Sequence, residues 1–189
     1  MNLPQTRIYV YDKNHTRHAW YNTYMNIHKE VTIGHVHLTV ADLDRSLAFY
    51  RDILGFEVTT RYGDSAVFLS AGGYHHHIGL NTWAGKGVTP PPPGHSGLYH
   101  VAILYPTRKE LAQALKNLID AQYPVTGFAD HGVSEAIYLQ DPDMNGIELY
   151  VDRPKSSWKV SDDGEVEMVT EVLDVESLLS ELDEGEVLD

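Results

Sequence analysis

Ile33-Gly34-His35-Val36-His37-Leu38-Thr39-Val40-Ala41-Asp42-Leu43-Asp44-Arg45-Ser46-Leu47-Ala48-Phe49-Tyr50 reads as a strand running directly into a helix. Side chains alternate from His35 to Val40, the period-two pattern of a strand with two unlike faces. Asp42 or Asp44 can cap the helix, and Gly55 is a C-terminal stop. Leu43, Leu47, Tyr50 and Leu54 recur on one helical face. Strands are expected at 56–62, 65–70 and 75–83, with Gly63-Asp64 and Gly72-Gly73 supplying the turns.

The same order returns downstream. Residues 98–104 read as a strand and 107–121 as a helix carrying Leu111, Leu115, Leu118 and Ile119. Strands follow at 125–129, 135–140 and 146–152. The chain is thus βαβββ twice, an α+β pattern, with His35 and His100 in equivalent places. Module 1 spans 31–85 and module 2 spans 97–154. Between them, 86–96 is a stiff spacer containing Pro90-Pro91-Pro92-Pro93. Residues 1–30 form an N-terminal extension of weak periodicity. Residues 155–189 form an acidic tail, in which Val172, Val175, Leu178, Leu179 and Leu182 suit a short docking helix.

Composition narrows the chemistry. The 189 residues contain no cysteine, which excludes thiolate metal sites and leaves His and carboxylate as ligands. The net charge of −13 argues against nucleic acid as a partner. Much of that charge lies in the tail, because 162–189 carries acids and no Lys or Arg. No apolar run reaches a membrane span, so no membrane role is expected and the expected location is cytoplasmic.

Eleven histidines are the more informative count. In a strand, His35, His37 and Thr39 share one face while Val36, Leu38 and Val40 share the other. The apolar set should pack under the helix, which leaves the histidines on the concave side. Glu148 stands between Ile147 and Leu149, where an unpaired charge is costly. Taken singly, a strand histidine reads equally well as hydrogen-bonded structure, and Glu148 as a satisfied acid at a sheet edge. Jointly, His35, His100 and Glu148 make a 2-His-1-carboxylate set, which leaves open positions on a metal and suits Fe(II) with oxygen; Mn(II) uses the same ligand types.

Gly34-His35-Val36-His37-Leu38-Thr39-Val40-Ala41-Asp42-Leu43, Ser46-Leu47-Ala48-Phe49-Tyr50 and Leu54-Gly55-Phe56 resemble the vicinal-oxygen-chelate superfamily. Asp141-Pro142-Asp143 with Asn145-Gly146-Ile147-Glu148-Leu149 resembles its closing motif, whose Glu is a metal ligand. The resemblance covers about 31–152. It implies a cupped, partly open barrel-like sheet around a metal site, and a homodimer.

The finer likeness is to the extradiol dioxygenases of the Bacillus catechol 2,3-dioxygenase type. His76-His77-Ile78-Gly79-Leu80 has the form of their acid–base segment, which implies that His76 is the acid–base residue. Tyr138, ten residues before Glu148, matches their tyrosine, and His131 is similar to their further substrate-side histidine. His37 is placed on the substrate side as well. The resemblance implies a small aromatic diol and O2 as substrates. By strand alternation, His75 and His77 are expected to face away from His76. Glyoxalases of the superfamily place a fourth, acidic ligand where this chain has Gly79. Those chemistries, an isomerase or thiol transferase, and the non-catalytic binding of resistance proteins are the alternatives. Metal content and catechol-dependent oxygen uptake discriminate among them.

Overall fold

A computed structural model describes residues 7–11, 13, 17–21, 27–92 and 94–183. The chain divides into two compact units, 1–34 and 35–189. In the first, β1 (Arg7–Tyr11) and β2 (Arg17–Tyr21) pair antiparallel, with Arg7 opposite Tyr21. The stretch expected to lack pattern therefore contains a hairpin. Pro93 of the spacer and 184–189 of the tail lie outside the described residues.

The second unit holds both repeats. The first comprises β3 (Val36–Thr39), α1 (Leu43–Tyr50), β4 (Glu57–Tyr62), β5 (Ala66–Ser70) and β6 (Ile78–Asn81). The second comprises β7 (Val101–Leu104), α2 (Arg108–Asp120), β8 (Val125–Asp130), β9 (Ser134–Gln140) and β10 (Gly146–Asp152). Each makes a four-stranded sheet, in the orders β3-β6-β5-β4 and β7-β10-β9-β8. In both, the first strand is an edge and runs parallel to the last. Register shifts fall at matching places, between Val58 and Thr60 and between Val125 and Gly127. The architecture is α+β, and the described strands form no closed barrel.

The alternation along β3 holds. Leu38 and Val40 are buried, while His35, His37 and Thr39 are exposed. Asp42 caps α1 by accepting from the Arg45 amide at 2.9 Å. Leu47, Phe49 and Tyr50 of α1 and Leu111, Leu115 and Leu118 of α2 enter one core together with Leu80, Ile147 and Leu149. The repeats thus share one hydrophobic interior.

A short turn of module 2 ties the repeats together. The Asp143 carboxylate accepts from the Ala41 amide at 2.9 Å and from Arg45 at 2.5 Å. Asp141 accepts from the Asp143 and Asn145 amides and, at 2.9 Å, from the Tyr50 hydroxyl. Beyond β10, Asp130 and Glu171 exchange two backbone bonds of 2.9 Å. The helix expected in the tail is α3 (Val175–Ser180), capped by Asp174 and packed on α2 with Leu178 fully buried. Among the described residues no helix is long and apolar enough to cross a membrane.

Burial, and then the Asp141 carboxylate beside it, push the Tyr50 phenol well above its ordinary value of 10.0. The folded state therefore keeps a proton that the unfolded chain releases. This contribution to stability is complete below about pH 10 and is lost as pH rises above it. Tyr50→Phe is expected to cost about 1–2 kcal/mol near neutrality, through a lost hydrogen bond to a buried carboxylate. It should also flatten the decline in stability above pH 10. Urea denaturation of both proteins on either side of pH 10 checks the two effects together.

Candidate functional site

The register of β7 on β10 builds one half of the site. Val101 lies opposite Ile147 and Ala102 opposite Glu148, so His100 stands beside Gly146 at the mouth of the pair. A Cβ on Gly146 would collide with the Tyr99 carbonyl and come within 3.0 Å of His100 Cβ. Only glycine allows the segment carrying His100 to approach β10 this closely. The result sets His100 Nε2 at 3.0 Å from Glu148 Oε2. The other Glu148 oxygen accepts from the Tyr138 hydroxyl at 2.9 Å, across the β9–β10 pair. His131 Nε2 lies 2.8 Å from that hydroxyl, and its Nδ1 lies 2.8 Å from the Val169 carbonyl.

Burial, and then the hydrogen bond to Glu148, push the Tyr138 phenol up to about 12. It therefore stays a protonated donor. Glu148 is 9% exposed, while the side chain of His100 beside it is 30% exposed.

Module 1 carries the equivalent frame with different side chains. Val36 lies opposite Ile78 and His37 opposite Gly79, so Gly79 takes the place of Glu148 and His37 that of Ala102. A Cβ on Gly79 would come within 2.9 Å of two His37 ring atoms. The room left by the missing side chain is thus filled by an imidazole, which also lies 5.6 Å from the Phe68 ring and 5.3 Å from Trp83. His35 lies against His76 with ring centroids 4.4 Å apart, and Phe68 flanks His76 at 5.0 Å. Burial, and then the charges of His35, His75, His37 and His77, lower the His76 pKa.

The expectation for His75 is corrected. Its Nδ1 lies 2.7 Å from His76 Nδ1, so the two rings are partners rather than opposites. Strand alternation does not apply here because β6 begins only at Ile78. His77 does turn elsewhere, to Ser70 Oγ at 3.1 Å. The His75 bond occupies His76 Nδ1 and leaves Nε2 as the nitrogen able to meet a substrate.

The structure gathers His100, Glu148, Tyr138 and His131 into one chain of contacts, and His35, His75 and His76 into another. Among the described residues no three His, Asp or Glu side chains converge as a metal-holding group. The His100–Glu148 pair is nevertheless of the donor types that a divalent ion takes. Two cis ligands at about 2.1 Å from an octahedral ion stand about 3.0 Å apart, which is the His100–Glu148 separation. His100 Nδ1, the ring nitrogen turned away from Glu148, is buried without a hydrogen-bond partner and has no part in this fit. The pair fits a metal; His35 lies outside it. An apolar cavity of about 520 Å³ beside Phe49, Tyr123 and Met144 shares no residue with either cluster.

A model of the Glyoxalase/Bleomycin resistance protein/Dioxygenase superfamily matches residues 32–149, most of both repeats. The chain belongs to this superfamily. The catechol-2,3-dioxygenase of Bacillus subtilis is 44% identical over 156 residues, covering 82% of this chain and 54% of the relative. A biphenyl-2,3-diol 1,2-dioxygenase of Rhodococcus globerulus is 31% identical, covering 64% of this chain and 63% of the relative. The chain spans just over half the length of the first and under two thirds of the second. A glyoxalase/dioxygenase from Nostoc punctiforme has the same fold at a TM-score of 0.58, with 19% identity, covering 70% of this chain and 99% of that one. The superfamily match ends before Val169, whose carbonyl meets His131. No periodicity in the tail pointed to that contact.

The two glycines separate backbone approach from side-chain space. Gly146→Ala is expected to destabilise by about 2–3 kcal/mol, because a backbone carbonyl must move. Gly79→Ala should cost well below that, since the exposed His37 ring can swing away. Thermal denaturation of the two variants checks the order; equal losses would mean that β7 does not approach β10 as described.

Proposed function

We propose that the chain is a metal-dependent extradiol dioxygenase that cleaves the ring of catechol-like diols with O2. The observation that carries this reading is the His100–Glu148 pair at ligand spacing, backed by Tyr138 and His131. The 44% identity to a catechol-2,3-dioxygenase supports it. On this reading His100, Glu148 and His35 hold Fe(II), or Mn(II) through the same ligand types. Bound there, the ion supplies Lewis acidity toward a vicinal diol and electron transfer to dioxygen.

The chain's own groups then have distinct tasks. His76 Nε2 takes a proton from the second hydroxyl of the diol, and the lowered pKa keeps that nitrogen an acceptor at neutral pH. Tyr138 is oriented by His131 and can turn its single proton from Glu148 to a substrate oxygen. His37, held between Phe68, Trp83 and Gly79, lines the substrate side. Both atoms of O2 enter the ring-opened product, so no external reductant is needed. We further infer a homodimer, since the edge beside β7 leaves Leu98, Tyr99 and Leu104 more than half exposed.

Anaerobic purification with metal analysis, then oxygen uptake with catechol, tests the reading; a metal-loaded chain that consumes no oxygen with any catechol would overturn it. His35→Ala, His100→Ala and Glu148→Ala are each expected to lose stoichiometric metal while remaining folded, and His37→Ala to retain it. His76→Phe should keep the metal and lose turnover by roughly 10²–10⁴-fold. Light scattering at micromolar concentration should give the mass of two chains; a metal-binding monomer would sink the dimer.

A further inference from the structure

The tail after β10 is held against the very residue that orients Tyr138. Val169 N–H donates to the His131 carbonyl at 3.1 Å, and two residues on, Glu171 and Asp130 exchange their backbone bonds. Val169 Cγ2 lies 3.4 Å from where a Cβ on Gly132 would stand. The strap's partner Asp130 and the chain that follows the strap are both secured. Arg153 bonds Asp130 at 2.7 Å and Glu135 at 2.8 Å, and Arg108 links Glu135 to Ser177 and Glu181 of the α3 region. Leu173 and Leu178 are buried. This is a built element, and the side chain it meets is His131.

A carbonyl can only accept a hydrogen bond. The Val169 carbonyl lies 2.8 Å from His131 Nδ1 and the Thr170 hydroxyl, which can accept as well as donate, at 3.4 Å; the nearer, accept-only carbonyl places the proton of the neutral ring on Nδ1. Nε2 is then an acceptor, facing the Tyr138 hydroxyl at 2.8 Å. The hydroxyl has one proton and two acceptors, His131 Nε2 and Glu148 Oε1. An unheld ring could place its proton on Nε2, donate to the Tyr138 oxygen, and drive the tyrosine proton wholly onto Glu148.

We propose that the tail segment Val169–Glu171 is a positioning element of the site: the Val169 carbonyl locks His131 in its Nδ1–H form and thereby sets where Tyr138 directs its proton. The effect on turnover rests on the proposed roles of Tyr138 and Glu148, whereas the lock itself does not.

The test is imidazole nitrogen NMR on the ¹⁵N-histidine-labelled full chain. The parent is expected to show His131 with a protonated Nδ1 and an unprotonated Nε2. An Nε2–H ring in the parent overturns the proposal, whatever any variant does. Val169→Pro removes the amide that pairs with the His131 carbonyl and should shift His131 toward the Nε2–H form. In metal-loaded protein it should lower kcat with catechol by roughly 10–100-fold, with a smaller change in KM. Val172→Ser, at the exposed residue just after the strap, should leave the spectrum as in the parent. A strap with a merely structural role would lower the melting temperature of Val169→Pro and leave the His131 tautomer unchanged, which also overturns the proposal. A correct tautomer in a chain that takes up no oxygen would refute the dioxygenase reading and leave the lock standing.

Discussion

Two buried carboxylates in one turn hold the second unit together. Asp141 and Asp143 are nearly inaccessible, and a buried acid is costly unless its lone pairs are filled. Here they are filled from both repeats. Asp143 receives the Ala41 amide and Arg45 from the start of α1, and Asp141 receives the Tyr50 hydroxyl from its end. The turn that leads into β10, and so into Glu148, is thereby clamped to the helix that follows β3, the strand carrying His37. Removing one partner would strand a charge in the shared core, so the two repeats cannot move apart cheaply.

Duplication gives two equivalent frames, and close packing makes them unlike. Across each parallel edge pair there is room for one large functional side chain. Module 2 fills it from β10 with Glu148 and leaves Ala102 small. Module 1 fills it from β3 with His37 and leaves Gly79 empty. The carboxylate and its tyrosine therefore lie on one sheet and the histidine cluster on the other. A side chain at position 79 would meet the His37 ring and have to displace it, and this chain has glycine there in place of the fourth acidic ligand.

Much of this was legible because it rests on local pattern. The repeat, the capping by Asp42, the faces of β3 and the strand carrying Glu148 all follow from periodicity and turn chemistry. Less legible was anything set by distant backbone. His75 was expected to point away from His76, on the assumption that the strand had already begun; it begins at Ile78, and the histidine run before it obeys no period. The β1–β2 hairpin lacks clean alternation. The Val169 carbonyl has no side-chain signature, since any residue offers a carbonyl, and only the fold brings it to His131. Nothing in the motif around Gly146 signals that the Tyr99 carbonyl occupies the place of its Cβ.

The two halves of the proposed metal site differ in how far they are prepared. His100 and Glu148 stand 3.0 Å apart, set by register, by Gly146 and by the Tyr138–His131–Val169 chain. Little side-chain freedom is left to lose there, so an ion meeting this pair forfeits little entropy in ordering it. His35 is the reverse case. It precedes its strand, is exposed, and rests on the His76 ring instead of on an acid. Recruiting it as the third ligand would part it from His76 and lift a neighbouring ring from the proposed acid–base residue.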